Sequence, residues 1–420
     1  MSFQQGLSGL AATSSELEVI GNNIANANTF GAKAARAEFG DIYAVALNGA
    51  GLNSIGIGVN VMTVAQQFTQ GNIVTTDNPM DLAINGEGFF QVRDAGGGVR
   101  YSRNGQFKVD REGFIVNNTF QQLIGYPAGN TGVVRTGAPE PLQLPTSGVA
   151  PAVTSEIRLE FNVDSRSDIT LPTTGAPIDF NDPATYNNAT SMTVYDEKGQ
   201  QVTLTYYFQK SATDTWNVYI TANGIPTQGT AAAPVPETTL TFAPDGSAPT
   251  SPAWPLTFNV PATTTPEGAT TMPITGIELS MAQATQYGAG YGMTDMAQNG
   301  YSAGQLTGIV IERNGVVMAR YSNGQSQPAG QLEIATFRNP QGLQAMGDNG
   351  WIRTFSSGDP IVGVPGEGNL GVLQSGALEE SNVDLTGELV HMITAQRAYQ
   401  ANAQTIKTQD QVLQTLLNLR

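Results

Sequence analysis

The chain has 420 residues, a formal net charge of −16, only 13% charged residues and no cysteine. This length predicts more than one domain. The acidic excess disfavours binding to nucleic acids or to anionic membrane surfaces, because both need a basic face. The lack of cysteine excludes disulfides and thiolate metal sites.

The sequence gives no sign of membrane insertion or of a cleavable export signal. No apolar run reaches the roughly 18–20 residues that a membrane-spanning helix needs. The N-terminal stretch MSFQQGLSGLAATSSELEVI has neither a basic segment nor a continuous apolar core, so we expect no cleavable secretory signal peptide. If the chain is exported, it uses another kind of signal.

An amphipathic helix is predicted over about residues 3–27. Apolar and small residues alternate spacings of four and three, which is the pattern of a heptad seam. The seam positions are Phe3, Leu7, Leu10, Ser14, Leu17, Gly21 and Ile24. Four asparagines, at positions 22, 23, 26 and 28, crowd the end of this helix. Their amides can pair with backbone groups of neighbouring chains without burying a charge, and Gly31 lets the chain turn away.

The middle of the chain is predicted to be β structure. Eight Asn-Gly dipeptides occur, at Asn48, Asn85, Asn104, Asn223, Asn299, Asn314, Asn323 and Asn349. Each suits a type I′ hairpin turn, and alternating or apolar runs flank several of them.

Composition divides this β region into a discontinuous domain and an insert. Residues 221–275 are rich in Pro, Thr and Ala, which limits strands to edges and short lengths. We predict a terminal helical domain (1–30 and 376–420), a connector (31–76), a discontinuous inner β domain (77–145 and 291–375) and an inserted outer β domain (146–290). The predicted fold class is therefore α+β and mainly β.

A second helix is predicted over about 383–420, where Ser381 or Asp384 can cap its start. Its heptad positions are Leu385, Leu389, Met392, Gln396, Tyr399, Ala403, Ile406, Asp410, Leu413 and Leu417. The two terminal helices are expected to pair as an antiparallel coiled coil. Packing within one molecule and packing between molecules both remain open for these stripes.

Chemistry-bearing motifs are scarce. His391 is the single histidine and lies inside the predicted terminal helix, and no G-x-S-x-G motif occurs. We therefore predict no catalytic residue, no metal site and no cofactor. The pair Glu379–Glu380 is interpreted as favouring the dipole of the following helix. Two of the 35 acidic residues could still converge as in a glycosidase.

The two ends carry specific motifs. The N-terminal stretch contains N-N-I-A-N followed by T-x-G-x-K, formed by Asn22, Asn23, Ile24, Ala25, Asn26, Thr29, Gly31 and Lys33. The C-terminal stretch contains ESNVDLT, AQRAYQANAQTIKT and LLNLR. These motifs resemble those of bacterial flagellar rod and hook proteins. The sequence departs from the pattern at Ala32, where an aromatic residue is usual.

The resemblance implies a non-enzymatic structural subunit. The length and the 146–290 insert favour a hook subunit, which would polymerise into a curved, flexible tube that transmits motor torque. The implied partners are other copies, the distal rod protein, the hook cap protein, the hook–filament junction protein and the flagellar type III export apparatus. The implied location is extracellular. A distal rod protein is the nearest alternative, and a secreted glycosidase-like enzyme or an adhesin is more remote.

The residues expected at the assembly interface come from both termini. They are Leu7, Leu10, Leu17, Ile20, Asn22, Asn23, Ile24, Asn26, Thr29, Gly31, Leu385, Leu389, Met392, Gln396, Tyr399, Ala403, Ile406, Leu413 and Leu417.

Overall fold

A computed structural model describes residues 2–43, 56–129, 137–145, 148–170, 177–265 and 268–418. A long helix lies at each end of this range and strands fill most of the rest, so the predicted mainly β chain with terminal helices is confirmed. The chain forms two compact units, one of residues 1–146, 308–320 and 326–420, the other of residues 147–307 and 321–325.

The elements follow one another along the chain in three groups. The first group is α1 (Ser2–Ala25), β1 (Ala35–Tyr43), β2 (Gly56–Gln66), β3 (Ile73–Thr75), β4 (Leu82–Asn85), β5 (Phe89–Arg93), β6 (Val99–Ser102), β7 (Lys108–Val109), β8 (Ile115–Val116), β9 (Gln122–Pro127) and β10 (Glu140–Pro141). The second group is β11 (Glu156–Asn162), β12 (Asn188–Tyr195), β13 (Gln201–Ala212), β14 (Thr215–Ala222), β15 (Ile225–Pro226), β16 (Gly229–Thr230), β17 (Ala233–Pro234), β18 (Thr238–Phe242), β19 (Pro249–Ser251), β20 (Leu256–Val260), β21 (Ile274–Ser280) and β22 (Gly292–Gln298). The third group is β23 (Leu306–Ile311), β24 (Val316–Tyr321), β25 (Ser326–Leu332), β26 (Ile334–Thr336), β27 (Gln344–Gly347), β28 (Gly350–Ile352), β29 (Ile361–Gly363), β30 (Val372–Ser375), β31 (Ala377–Glu379) and α2 (Leu385–Asn418).

The first unit is built around one large sheet whose strands come from both halves of the chain. Its main path runs β24-β25-β9-β5-β6-β28-β27. Apolar residues at alternating positions of these strands form the core, with Phe90, Leu123, Leu332 and Ile334 almost fully buried. β3 pairs with β31 and β4 pairs with β30, so strands that are distant in sequence close this unit.

Two sheets of the second unit share one core. One sheet has the order β20-β21-β11-β22 and the other β12-β13-β14-β18-β19. Alternating residues such as Leu159 of β11, Leu204 of β13 and Trp216 of β14 are fully buried in this core. The unit extends beyond the predicted end at residue 290, because β22 pairs with β11. The assignment of inner and outer positions to the two units stays a prediction.

The Asn-Gly turns mostly differ from the predicted type. Only at Asn223 does the asparagine of a described pair take a positive φ together with its glycine, and Asn48 lies outside the described residues. At Asn349 the two turn residues with positive φ are Asp348 and Asn349. At Asn314 and Asn323 the side-chain oxygen accepts the N–H two residues later, at 3.0 and 3.1 Å. These asparagines therefore form Asx turns, which the dipeptide alone does not distinguish.

The side chain of Glu333 places a carboxyl group in the core of the first unit. This residue is 0% exposed between Leu332 and Ile334, and the hydroxyl of Tyr126 donates to its Oε1 at 3.2 Å. Burial raises the pKa of Glu333 above its ordinary value of 4.5. Because the folded state favours the protonated form, the contribution of this group to stability is complete below pH 4.5 and is lost as the pH rises through the raised pKa.

We expect Glu333→Gln to stabilise the chain at pH 7 by about 1 kcal/mol, since the neutral amide keeps an acceptor for Tyr126 and removes a buried charge. The gain should disappear near pH 4. Urea unfolding of both proteins at the two pH values measures it. Glu312→Gln, which removes an exposed carboxylate of the same unit, is the control for the loss of one charge. A gain of equal size at both pH values would contradict the argument.

Candidate assembly site

The two terminal helices pack against each other in antiparallel orientation. At one end Gly6 lies against Ile406, and a Cβ atom placed on Gly9 would come within 3.0 Å of the Asn402 side chain. At the other end the Nδ2 atom of Asn23 donates to Glu388 Oε1 at 3.0 Å. Small residues on α1 therefore let the backbones approach closely.

The leucine stripes do not form the contact between these helices. In α2 the buried and half-buried positions after Gly387 are Glu388, Met392, Ala395, Asn402, Ala403, Ile406 and Gln409. Met392 and Ile406 of the predicted seam are among these positions. The seam positions Leu389, Gln396 and Asp410 are exposed, and the residues just before them, Glu388, Ala395 and Gln409, are buried or half-buried instead. Leu7 and Leu413 are each 53% exposed and Leu389 is 45% exposed. These three leucines are therefore not sealed inside the helix pair, and packing between molecules stays a prediction for them.

The other predicted interface residues divide by burial. Ile20, Asn23 and Gly31 are buried; Leu10, Leu17, Ile24, Asn26, Thr29, Met392, Ala403 and Ile406 are half-buried; Leu7, Asn22, Leu385, Leu389, Gln396, Tyr399 and Leu413 are exposed; the side chain of Leu417 lies outside the described residues. Their role between copies stays a prediction.

Asn23 is already used inside the chain. Its Oδ1 accepts the N–H of Ala35 at 2.8 Å, and its Nδ2 donates to the carbonyl of Ala35 at 2.7 Å. This pairing fastens the end of α1 to the start of β1. These contacts and the one to Glu388 occupy the Asn23 amide within the chain, and its role between copies stays a prediction. Asn22 remains exposed, and its Oδ1 accepts from Asn26 Nδ2 at 2.6 Å.

A buried ion cluster lies where the terminal motifs meet the large sheet. The carboxylate of Glu379 accepts from Lys33 Nζ at 2.6 Å and from Arg103 Nη1 at 3.1 Å. It also accepts the backbone N–H of Gly71 at 2.9 Å. The side chains of Lys33 and Glu379 are 0% exposed. Gly31, with a φ of 71°, donates its N–H to the carbonyl of Glu379 at 2.8 Å.

Burial shapes the electrostatics of this cluster. It lowers the pKa of the Lys33 ammonium and of the Arg103 guanidinium, while the nearby Glu379 carboxylate acts in the opposite direction on both pKa values. Arg103 also donates to the carbonyls of Gly86 and Ile84, at 2.8 and 3.3 Å. Removing the carboxylate would leave two buried cations without their counter-charge.

Asn382 ties the connector to the start of α2. Its Oδ1 accepts the N–H of Ala34 at 2.7 Å, and its Nδ2 donates to the carbonyl of Gln67 at 2.8 Å. Two residues later Asp384 caps α2, accepting the N–H of Thr386 at 3.0 Å, as predicted. The segment predicted as a connector thus contains the paired strands β1 and β2. Asn23 holds its first strand and Asn382 holds the residue after its second strand. We call this region, together with the Glu379 cluster, the root of the helices.

A polar cavity of about 250 Å³ lies beside this root. Asn22 of α1 and Asn26, just after this helix, line one wall, and the turn at Asp348 and Asn349 lines another. Asn349 Nδ2 donates to the carbonyl of Phe30 at 3.0 Å, so the β27–β28 turn holds the chain just after α1.

Sequence reasoning missed the ion cluster. The sequence predicts that Glu379 interacts favourably with the dipole of the following helix, but its side chain is buried against Lys33 and Arg103 instead. A usable signal existed, because Lys33 stands in a matched motif of a chain with few charges. Its partners, at positions 103 and 379, are too distant in sequence to be paired by spacing.

Within the described ranges no group of three or more His, Asp or Glu side chains could hold a metal ion. No helix in this part of the chain is long and apolar enough to cross a membrane.

Four family models match successive parts of the chain. They are "Flagella basal body rod protein" over residues 3–33, "Flagellar hook protein FlgE/F/G D1 domain" over 83–200, "Flagellar basal body protein FlaE D2 domain" over 162–301 and "Flagellar basal body rod FlgEFG protein C-terminal" over 374–419.

Whole proteins are similar over the full length. The flagellar hook protein FlgE of Salmonella typhimurium is 41% identical over 424 residues, covering 100% of both chains. FlgE of Escherichia coli strain K12 is 41% identical over 428 residues with the same coverage. The crystal structure of Helicobacter pylori flagellar hook protein FlgE2 matches with a TM-score of 0.53 and 15% identity, over 73% of this chain and 99% of that one. The last match shows a shared fold.

We expect Glu379→Ala to destabilise the first unit by about 3–5 kcal/mol, because it leaves Lys33 and Arg103 buried without an anion. Glu38→Ala is the matched control. It removes a half-exposed carboxylate paired with Arg36 at 2.8 Å, and should cost less than about 1 kcal/mol. Urea unfolding combined with hydrogen exchange of β3 and β31 distinguishes the two. Equal effects would refute a special role for the cluster.

The two neighbouring asparagines, Asn22 and Asn23, should differ in their contribution to the stability of the chain. Asn23→Ala should destabilise the chain by about 1–3 kcal/mol, since it leaves the backbone groups of Ala35 unpaired. Asn22→Ala should change stability by less than about 0.5 kcal/mol, because this side chain is exposed. Thermal unfolding of the two single variants measures this difference. Unfolding of both variants at the same temperature would contradict this role of Asn23.

Proposed function

The chain belongs to the flagellar hook protein family, and from this membership we propose that it is the structural subunit of a bacterial flagellar hook. Copies polymerise into a curved, flexible helical tube that passes torque from the motor to the filament. The match over the whole length of two FlgE proteins supports this function over that of a distal rod protein.

One observation carries the proposal at the level of the single chain. Both terminal helices keep large apolar side chains in solvent although these recur at packing intervals. Leu7 and Leu413 are more than half exposed, and Leu385, Leu389 and Ile393 lie on the outer side of α2. Exposed apolar stripes of this kind mark interaction surfaces. Other copies of the same chain cover them in the tube.

The helix pair forms an antiparallel coiled coil that lines the central channel of this tube. In this tube the terminal helical domain (1–30 and 376–420) occupies the centre, and the β domains of the copies form shells around it. The shells slide past one another as the tube bends. The low charge of the chain, 13% of residues, suits such contacts because few ion pairs fix one register.

Load passes between the helices and the β body through the root described above. Glu379, Lys33 and Arg103 join the two terminal motifs to the sheet by buried ionic contacts. Directional contacts of this kind resist rotation of the helix pair relative to its own sheet. Flexibility of the tube then resides between copies.

The remaining partners follow from the place of a hook in the flagellum. The subunit leaves the cell through the flagellar type III export apparatus without a cleavable signal peptide, and it is extracellular. It meets the distal rod protein at one end of the tube and the hook–filament junction protein at the other, where the hook cap protein stands during growth. It needs no cofactor, has no enzymatic role and does not insert into membranes.

The proposal is tested by altering the helix contact without weakening the helix. Gly9→Leu raises intrinsic helix propensity but places a large side chain against Asn402. We expect it to abolish polymerisation, as measured by sedimentation and electron microscopy, while circular dichroism remains that of a folded chain.

Gly21→Ala is the control, because nothing lies within 4 Å of a Cβ atom at this position. It should polymerise into curved tubes like the parent chain. Tubes formed equally well by Gly9→Leu would contradict the helical-core arrangement. A parent chain that forms straight rods would favour the distal rod alternative.

A further inference from the structure

The loop after β28 holds a phenylalanine entirely in solvent. Phe355 is fully exposed, whereas Phe89, Phe90 and Phe337 of the same unit are buried. We propose that Phe355 is a contact residue that packs against the apolar surface of a second copy of this chain. This inference rests on the proposed function, and it adds a contact on the β body to those of the terminal helices.

The loop is fixed in shape. Thr354 Oγ1 accepts the N–H of Ser356 at 3.1 Å, and Ser357 Oγ accepts the N–H of Thr354 at 2.9 Å. Two contacts anchor the loop to the preceding turn: Thr354 Oγ1 donates to the carbonyl of Gly342 at 2.6 Å, and Asn339 Nδ2 donates to that of Ser356 at 3.0 Å. A ring carried on a fixed loop loses little conformational entropy on binding.

Further exposed apolar residues follow Phe355 along the chain. The chain continues to β29, where Ile361 and Val362 are 48% and 46% exposed. β29 pairs with β26, and no other described strand pairs with it. The single charge between residues 354 and 363 belongs to Asp359, which forms an ion pair with Arg353. This segment thus carries a single charge, which is paired, and ends at a sheet edge.

A second copy is the occupant that fits best. In a tube every copy is surrounded laterally by copies, and only the two ends meet other proteins. The exposed leucines of α2 offer an apolar surface of a different kind on the same chain, and a contact between two unlike patches repeats without closing, which generates a helical polymer. The loop is also continuous with the candidate assembly site, because β27 and β28 just before it hold the end of α1 through Asn349 and Phe30.

The first test uses Phe355→Ala in the full chain. Because the ring is fully exposed, thermal unfolding of the monomer should change by less than about 2 °C. The critical concentration for polymerisation should rise at least about tenfold, as for loss of a central aromatic contact. Phe355→Trp should restore most of the polymerisation. Phe120→Ala is the control, since that ring is also exposed but already has a partner in its own chain, Lys108 Nζ, 4.6 Å from its centroid.

The second test identifies what the ring touches. The chain has no cysteine, so Phe355→Cys carries a single thiol that can be labelled with a benzophenone maleimide. Irradiation of polymer should give covalent subunit–subunit products, while irradiation of dilute monomer should give none.

The outcomes separate this inference from the proposed function. Phe355→Ala that polymerises at the parent concentration, or a label that links only to its own chain, overturns the contact while the hook function stands. A parent chain that forms no tubes overturns the proposed function itself. Tubes with a tenfold higher critical concentration and cross-links between copies support both.

Discussion

The first unit depends on one carboxylate, that of Glu379. It joins four parts of the chain: the end of the N-terminal motif through Lys33, the connector through Gly71, the large sheet through Arg103 and the start of the C-terminal motif, to which it belongs. Apolar packing could hold these segments together but would allow them to shift, since it is not directional. Ionic hydrogen bonds of fixed geometry set one arrangement, even though burying the charges is costly.

The helices and their positions were predictable, but the faces they use were not. Heptad spacing identified α1 and α2 within a few residues, because a long stripe is a strong local signal. Which side of each stripe meets the partner depends on the other helix. Gly6 and Gly9 admit Ile406 and Asn402, so α2 turns its leucines outward. A sequence read one helix at a time contains no information about that choice.

The root of the helices shows the same limit for polar residues. The position of Asn23 in a motif marked it as functional, but its role follows from contact with Ala35 of the next strand. Likewise the Asn-Gly pairs correctly marked turns. The turn type depended on whether the asparagine side chain accepted a nearby N–H, as at Asn314 and Asn323. The local sequence pattern predicts where such residues lie, but their contacts in the folded chain determine their role.

Together these features describe a chain whose helix pair is fixed to the β body at the root, while the terminal helices leave apolar surface uncovered. The cluster around Glu379 fixes the base of the helix pair, while glycines at the helix contact leave leucines unused by the single chain. If the leucines sealed the pair internally, the monomer would be more stable but would offer little surface to other copies. Because small residues lie inside the pair and large ones outside, the helices bury little apolar surface in the single chain and bury more of it in a polymer. Burial of the apolar surface that folding leaves exposed then contributes to the free energy of assembly.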